Sequence, residues 1–97
     1  MKKYKITKNN ITYDIYEDFN RNKYWYLNDK YHREGGPAIE YANGAKSWYK
    51  NGKLHRDDGP AFESVNGSTE YWYNGKYLHN IKSHKDLKRY VKLLSIS

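Results

Sequence analysis

Histidine and arginine stand next to each other at two places in the sequence, as His32-Arg33 and at the start of the run from His55 to Asp58, which ends in two aspartates. Imidazole and carboxylate groups act together as acid and base in hydrolysis, and both are ligands of metal ions. Guanidinium groups make planar, paired contacts with carboxylates and phosphates. These residue types suit a hydrolytic centre, a metal site or an anion site, and their spacing decides among the three.

The pairs recur because a whole segment of the sequence is repeated at a spacing of 23 residues. Residues 25–44 read WYLNDKYHREGGPAIEYANG, and residues 48–67 read WYKNGKLHRDDGPAFESVNG. Equivalent positions of successive repeats lie one repeat step apart, so they do not surround one reacting atom as catalysis requires. The spacing therefore predicts a chain that is not an enzyme, with no catalytic residues, no metal ligands and no cofactor.

The repeat weakens towards both ends of the sequence, as expected of terminal units in a stacked array, because one of their sides faces water. A single domain is predicted for residues 1–97. Its parts are N-terminal strands with a degenerate repeat at 1–24, repeats at 25–47 and 48–70, a partial repeat at 71–80 and a C-terminal helix at 83–95.

Asn-Gly pairs between aromatic and aliphatic runs predict tight hairpins, since both central residues of a type I′ turn need a positive φ. With two-residue loops at 43–44 and 51–52, Ile39 lies opposite Trp48, and Trp48 lies opposite His55. The predicted fold class is mainly β, an antiparallel meander or solenoid-like sheet of 23-residue repeats.

The segment after the last repeat predicts a helix that caps this sheet. Ser83 is placed to act as the N-cap, three residues before Asp86. Apolar residues then follow at the helical spacing i, i+3, i+4 and i+7, namely Leu87, Tyr90, Val91 and Leu94. That stripe must be buried against the open end or one face of the β-stack.

For the polar and aromatic residues of the repeat, a structural role competes with a binding role. We expect each histidine to end an apolar row with one ring nitrogen bonded to backbone or to a loop carboxylate, and Leu78 to replace it where the repeat ends. The arginines are expected to pair with Glu40 and Glu63, with capture of an anion as the alternative. The tryptophans are expected to be buried or half-buried, with a stacking platform for bases as the alternative.

The amino-acid composition restricts the classes of partner and the cellular location that we expect for this chain. The formal net charge of +7 favours nucleic acid, nucleotides, anionic lipid or an acidic protein surface. The chain has no cysteine, which fits a reducing compartment, and no apolar run long enough to span a membrane. We therefore expect no membrane span and a cytoplasmic location, which is the host cytoplasm if the protein is viral.

The repeats resemble the MORN family, whose 23-residue β-hairpin unit has an aromatic residue, then Asn-Gly-Lys-x-His, a glycine and a closing Asp/Asn-Gly. Residues 49–55, YKNGKLH, follow that order. Arginine replaces the usual glycine after each histidine, which looks more like the HR-x-D-G-P-A variant of bacteriophage, giant-virus and low-GC bacterial proteins. The resemblance covers residues 13–79 and implies a binding module for proteins or lipid headgroups, and its phage-like form implies an inhibitor of host machinery.

Two functional hypotheses remain at this point. The first is a small non-enzymatic binding module for a protein partner, and the second is a nucleotide or nucleic-acid binder that uses arginine, lysine and aromatic residues. Exposed strand edges also allow a homo-oligomer. The candidate residues for partner or ligand binding are Trp25, His32, Arg33, Trp48, Tyr49, Lys53, His55 and Arg56.

Overall fold

A computed structural model describes residues 1–96, and Ser97, the last residue of the predicted domain, lies outside the described residues. The chain forms short strands followed by one helix. The elements are β1 (Lys2–Lys8), β2 (Ile11–Glu17), β3 (Lys23–Leu27), β4 (Lys30–Tyr31), β5 (Ile39–Glu40), β6 (Lys46–Ser47), β7 (Tyr49–Lys50), β8 (Lys53–Leu54), β9 (Phe62–Glu63), β10 (Thr69–Glu70), β11 (Trp72–Tyr73), β12 (Lys76–Tyr77) and α1 (His84–Leu94).

The strands form one antiparallel meander and two separate hairpins. The main sheet runs in the order β1-β2-β3-β5-β6-β9-β10, and β4 pairs with the free part of β3. Strands β7 and β8 form one two-stranded hairpin, and β11 and β12 form the other. The predicted class, mainly β with an antiparallel meander and a C-terminal helix, is confirmed.

The register of the meander carries a row of alternating charges. Cross-strand partners along this row are Lys2, Glu17, Lys23, Glu40, Lys46 and Glu63, so each residue faces a neighbour of opposite sign. Opposite charges directly across antiparallel strands stabilise a pairing, and a slip of one residue would move the whole row to the other face. The alternation of charge therefore favours this register for strands that are only two residues long.

The predicted pairing of Ile39 with Trp48 is wrong, because Ile39 faces Ser47. The loop after β5 holds three residues, closed by a hydrogen bond from the Tyr41 amide to the Ala45 carbonyl at 3.0 Å. In this loop only Gly44 has a positive φ, +99°, so Asn-Gly does not form the expected type I′ turn.

The loop between β7 and β8 is the predicted two-residue turn. Asn51 and Gly52 have φ values of +52° and +83°, as a type I′ turn requires. The predicted pairing is confirmed, since the His55 amide donates to the Trp48 carbonyl at 3.0 Å. The same dipeptide therefore forms two different turns in this chain.

Two apolar clusters make the core. The first contains Tyr13, Ile15, Trp25 and Ala38 from the N-terminal strands and the first repeat. The second joins Tyr71 and Leu78 of the last hairpin region to Leu87 of α1, which has no exposed surface. The helix therefore covers the C-terminal end of the β-structure.

The helix begins as predicted. The Ser83 hydroxyl accepts a hydrogen bond from the Asp86 amide at 3.2 Å, and Leu87, Tyr90 and Val91 belong to the second cluster. Leu94, the last member of the predicted stripe, is 42% exposed because the helix runs past the edge of that cluster. No helix within residues 1–96 has the length and apolar character needed to cross a bilayer.

The loop between β2 and β3 suggests a stabilising substitution. Arg21 has a φ of +66°, and its amide donates to the Asp18 carbonyl, three residues before it. In the corresponding loops, the amides of Gly44 and Gly67 likewise donate to the carbonyl three residues before them. A left-handed conformation is strained for a residue with a Cβ, so Arg21→Gly should raise the free energy of unfolding by about 0.5–1 kcal/mol. Urea denaturation measures the change.

Arg21→Ala is the matched control, because it removes the same charge and keeps the Cβ. It should give no gain. Equal stabilisation by alanine and glycine would mean that the charge of Arg21, and not its backbone strain, limits stability.

Candidate functional site

The two repeat histidines are buried and have both ring nitrogens occupied. His32 Nδ1 accepts from the Asn51 amide at 2.9 Å, and His55 Nδ1 accepts from the Asn74 amide at 2.8 Å. On the other side of each ring, Nε2 lies 2.6 Å from a carboxylate oxygen of Glu34 or of Asp57 respectively. Because Nδ1 accepts, the proton of the neutral ring lies on Nε2. The predicted burial of the histidines and their contacts with backbone and a loop carboxylate are confirmed.

Each histidine therefore joins one hairpin to the turn of the next. At the third position Leu78 is also buried, and its amide donates to the Tyr71 carbonyl at 2.8 Å as the His55 amide does to Trp48. No hairpin follows Leu78 within residues 1–96, so no turn amide needs an acceptor there. This explains why leucine is sufficient at position 78, where the other repeats have histidine.

His55→Leu should lower the free energy of unfolding by about 1 kcal/mol, since leucine fills the space but cannot accept from Asn74. His55→Ala should cost about 2–4 kcal/mol, because it also leaves a cavity. Urea denaturation of the two variants separates the contribution of the hydrogen bond from Asn74 to stability from the contribution of side-chain packing. Equal costs for leucine and alanine would contradict this division.

Both repeat arginines lie over tryptophan rings. Arg33 Cζ is 3.7 Å from the centre of the Trp25 ring, and Arg56 Cζ is 4.0 Å from that of Trp48. Planar guanidinium stacks well on an aromatic face and is attracted by its electrons. We call each of these pairs an arginine stack.

Both guanidinium groups also have polar partners within the chain. Nη1 of Arg33 donates to the Pro37 carbonyl at 3.2 Å, and Nη1 of Arg56 donates to the Pro60 carbonyl at 3.0 Å. The predicted ion pairs with glutamates are present, with Glu40 at 3.7 Å from Arg33 and Glu63 at 3.1 Å from Arg56. Arg56 Nε also donates to Asp58 at 2.9 Å. Nη1 of both arginines and Nε of Arg56 are therefore already paired inside the chain.

The glycine before each proline makes room for the arginine stack. A Cβ at Gly36 would lie 2.8 Å from Arg33 Cζ, and one at Gly59 would lie 2.9 Å from Arg56 Cζ. From the sequence, each Gly-Pro pair predicts a loop and no such contact. In the sequence, the only sign of this close contact is that each glycine follows its arginine by three residues.

A cleft of about 290 Å³ lies between the loops of successive repeats. We call it the loop cleft, and it is lined by Arg33, Gly35, Gly36, Pro37, Trp48, Lys50, His55, Arg56, Asp57 and Asp58. It brings together four of the eight predicted binding residues, Arg33, Trp48, His55 and Arg56.

The other four predicted binding residues lie elsewhere. Trp25 and His32 are only 2% and 7% exposed, so a partner cannot contact them directly without local opening. Tyr49 is half-buried beside Tyr31, with 5.2 Å between ring centres. The aliphatic part of Lys53 lies against Gly75 of the next hairpin.

A larger groove, of about 590 Å³, lies on the sheet face beside β1. This N-terminal groove is lined by Met1, Lys3, Tyr4, Lys5, Asp14, Ile15, Tyr16, Tyr26 and Asp29. The sequence analysis missed it because it lies largely outside the repeats. The alternation of lysine with other residues in KKYKITK was the available indication of an exposed strand.

Tyrosine rings extend from this groove across the sheet. Tyr16, Tyr24, Tyr31 and Tyr49 follow one another with ring centres 5.7, 6.1 and 5.2 Å apart. Burial, helped by a hydrogen bond with Tyr31, raises the pKa of Tyr26 to about 12. Its phenol is therefore protonated at neutral pH.

Within residues 1–96 no three histidine or acidic side chains converge as metal ligands, and each buried side-chain polar atom has a partner. No family model, curated protein or solved structure matches this chain. The resemblance to MORN repeats therefore depends on the residues quoted above.

Proposed function

We propose that the chain is a small non-enzymatic binding module, built of stacked MORN-like repeats, that holds a protein partner on its surface. The observation that carries this proposal is the internal use of both arginines, since each guanidinium already contacts a tryptophan ring, a proline carbonyl and a glutamate of its own repeat instead of a phosphate. Recurrence of the histidine and arginine contacts 23 residues apart supports the repeat arrangement.

The shape of the chain suits a protein partner. Its extents are 42 × 32 × 19 Å, so it is a thin slab with a large surface for its size. Both grooves are open to solvent along this slab. A specific protein interface buries about 800 Å² on each partner, which is a modest share of the total surface of 6693 Å².

Affinity capture from a host lysate tests the proposal. With the tagged chain as bait, we expect one protein to be retained after nuclease treatment and at about 0.3 M salt. If the proposed inhibition of host machinery is correct, the purified partner should lose activity at a stoichiometric dose of the chain. Recovery of nucleic acid alone, with every protein lost on nuclease treatment, would overturn the proposal.

Nucleotide or nucleic-acid binding is the second candidate. The N-terminal groove favours it, because Lys3 lies 6.0 Å from the centre of the Tyr16 ring and the net charge is +7. Aromatic rings that stack on bases next to lysines that contact phosphates are typical of single-strand binders. This candidate predicts that affinity for labelled oligo(dT) falls steeply with salt, whereas no binding at low salt would exclude it.

A further inference from the structure

Strand β1 is a long open edge of the main sheet. All seven of its residues pair with β2, from Lys2 opposite Glu17 to Lys8 opposite Ile11, without a bulge. Among residues 1–96, β1 has no second neighbour, and six of its seven residues are exposed. The other end of the sheet, β10, is only two residues long.

The register shows which backbone groups of β1 are free. Asn9 and Asn10 have positive φ values and form a two-residue turn, so Lys8 and Ile11 make the hydrogen-bonded pair that closes it. Hydrogen-bonded and non-hydrogen-bonded pairs alternate along antiparallel strands. The amides and carbonyls of Lys3, Lys5 and Thr7 therefore point away from β2.

The charge of this edge selects its partner. Four of the seven side chains of β1 are lysines, and only Lys5 has a carboxylate within 4 Å among the described residues. Antiparallel pairing of β1 with a second copy of itself would bring lysines of the two strands together, which is destabilising. A strand that carries carboxylates would instead place opposite charges across the new pairing.

The surroundings of β1 leave room for such a strand. The side chains of Lys3 and Lys5 lie on the same face as Tyr16, along the N-terminal groove of about 590 Å³. Alternate side chains of an added strand would project over this face, next to the lysine ammonium groups. In this mode of recognition, main-chain hydrogen bonds supply affinity and alternate side chains supply specificity.

We propose that β1 is a docking edge for an extended acidic segment of the protein partner, which adds to the sheet as a further strand. This inference rests on the proposed function, because it names the chemistry of the segment that the binding module holds. The backbone of Lys3, Lys5 and Thr7 pairs with the incoming segment, and the lysines pair with its carboxylates.

A synthetic peptide tests the charge requirement. The probe is the capped heptapeptide EVEVEVE, and the controls are QVQVQVQ and KVKVKVK, which keep the alternation and change the charge. Titration of the whole chain, followed by amide chemical shifts at low salt, should show binding of the glutamate peptide only. Lys3→Glu/Lys5→Glu should weaken that binding at least tenfold. Equal binding of the glutamine and glutamate peptides would overturn the proposal.

Thr7→Pro tests the backbone requirement. Proline removes one outward amide, leaves the bonds to β2 in place and does not change the charge. We expect about tenfold weaker peptide binding, compared with less than twofold for the matched control Thr7→Ala. Since proline could also disturb the edge, hydrogen exchange in the unmodified chain is the second measurement. The peptide should slow exchange of the Lys3, Lys5 and Thr7 amides, and unchanged rates at all three would contradict strand addition.

The two proposals fail in different ways. If Thr7→Pro captures the same lysate protein as Thr7→Ala and the peptide does not bind, the docking edge is wrong while the binding module stands. If no protein is captured, the proposed function is wrong. If oligo(dT) binds the chain and the glutamate peptide does not, the edge is not specific for an acidic segment and the inference is overturned.

Discussion

Gly59→Ala is expected to lower the free energy of unfolding by about 2 kcal/mol, although the change adds a single methyl group to a loop. The new Cβ would lie 2.9 Å from Arg56 Cζ, so the guanidinium must shift. The shift would weaken its contacts with the face of Trp48, the Pro60 carbonyl and the Glu63 carboxylate. Cation–π attraction and charge-assisted hydrogen bonds of this kind contribute about 0.5–3 kcal/mol each before entropy is considered.

A double-mutant cycle separates this explanation from ordinary loop strain. In an Arg56→Ala background the three atoms nearest to the new Cβ are absent, because all of them belong to the guanidinium of Arg56. There, Gly59→Ala should be neutral or slightly stabilising, because alanine reduces the entropy of the unfolded chain. The coupling between the two changes, measured by urea denaturation, is expected to be about 2 kcal/mol.

Gly36 and Arg33 offer an internal control, since a Cβ at Gly36 would lie 2.8 Å from Arg33 Cζ. The same cycle there should give a coupling of similar size. If Gly59→Ala costs the same with and without the guanidinium, the glycine is required by the loop backbone and the arginine stack is incidental.

The sequence was sufficient to predict contacts that depend on the repeat itself. Positions 32, 55 and 78 carry His, His and Leu, and this order predicted a packed row whose last member needs no polar partner. The pairing of the arginines with Glu40 and Glu63 followed from the same spacing. Both predictions held because a stacked unit repeats its contacts whenever it repeats its residues.

Turn geometry could not be predicted from the dipeptide alone. Asn51-Gly52 lies between strand residues that pair directly, and both of its residues take positive φ. At Asn43-Gly44, the Asn43 side chain accepts from the Ala45 amide, which favours a three-residue loop with glycine last. The choice depends on this local hydrogen bond and on the register of the neighbouring strands, which a sequence pattern does not contain.

The N-terminal groove was missed for a related reason. Its strands precede the clear repeats, and their turn is Asn9-Asn10, in which asparagine and not glycine takes both positive φ values. Asparagine tolerates this conformation better than most residues. The sequence predicted strands within residues 1–24 but not this hairpin, so the lysines of β1 were not recognised as part of an edge strand.

The second large effect is expected at Glu40, which has three kinds of partner. It lies between Lys23 and Lys46 across the strands, and its carboxylate accepts from Trp25 Nε1 at 2.9 Å and lies 3.7 Å from Arg33 Nη1. Glu40→Lys should lower the free energy of unfolding by about 3 kcal/mol. The cost comes from the unpaired indole N–H of a buried tryptophan, from the loss of the ion pair with Arg33, and from like charges on three adjacent strands.

Glu40→Gln is the matched control, because it keeps an acceptor for Trp25 and removes only the charge. It should cost about 1 kcal/mol. Salt screens exposed charges, so about 0.5 M NaCl should reduce the difference between the lysine and glutamine variants without abolishing it. Urea denaturation at two salt concentrations measures the contribution of charge separately from that of the hydrogen bond to Trp25. If glutamine were as costly as lysine, the row would not act through its charges, and the register of the short strands would have to come from the turns and the arginine stacks alone.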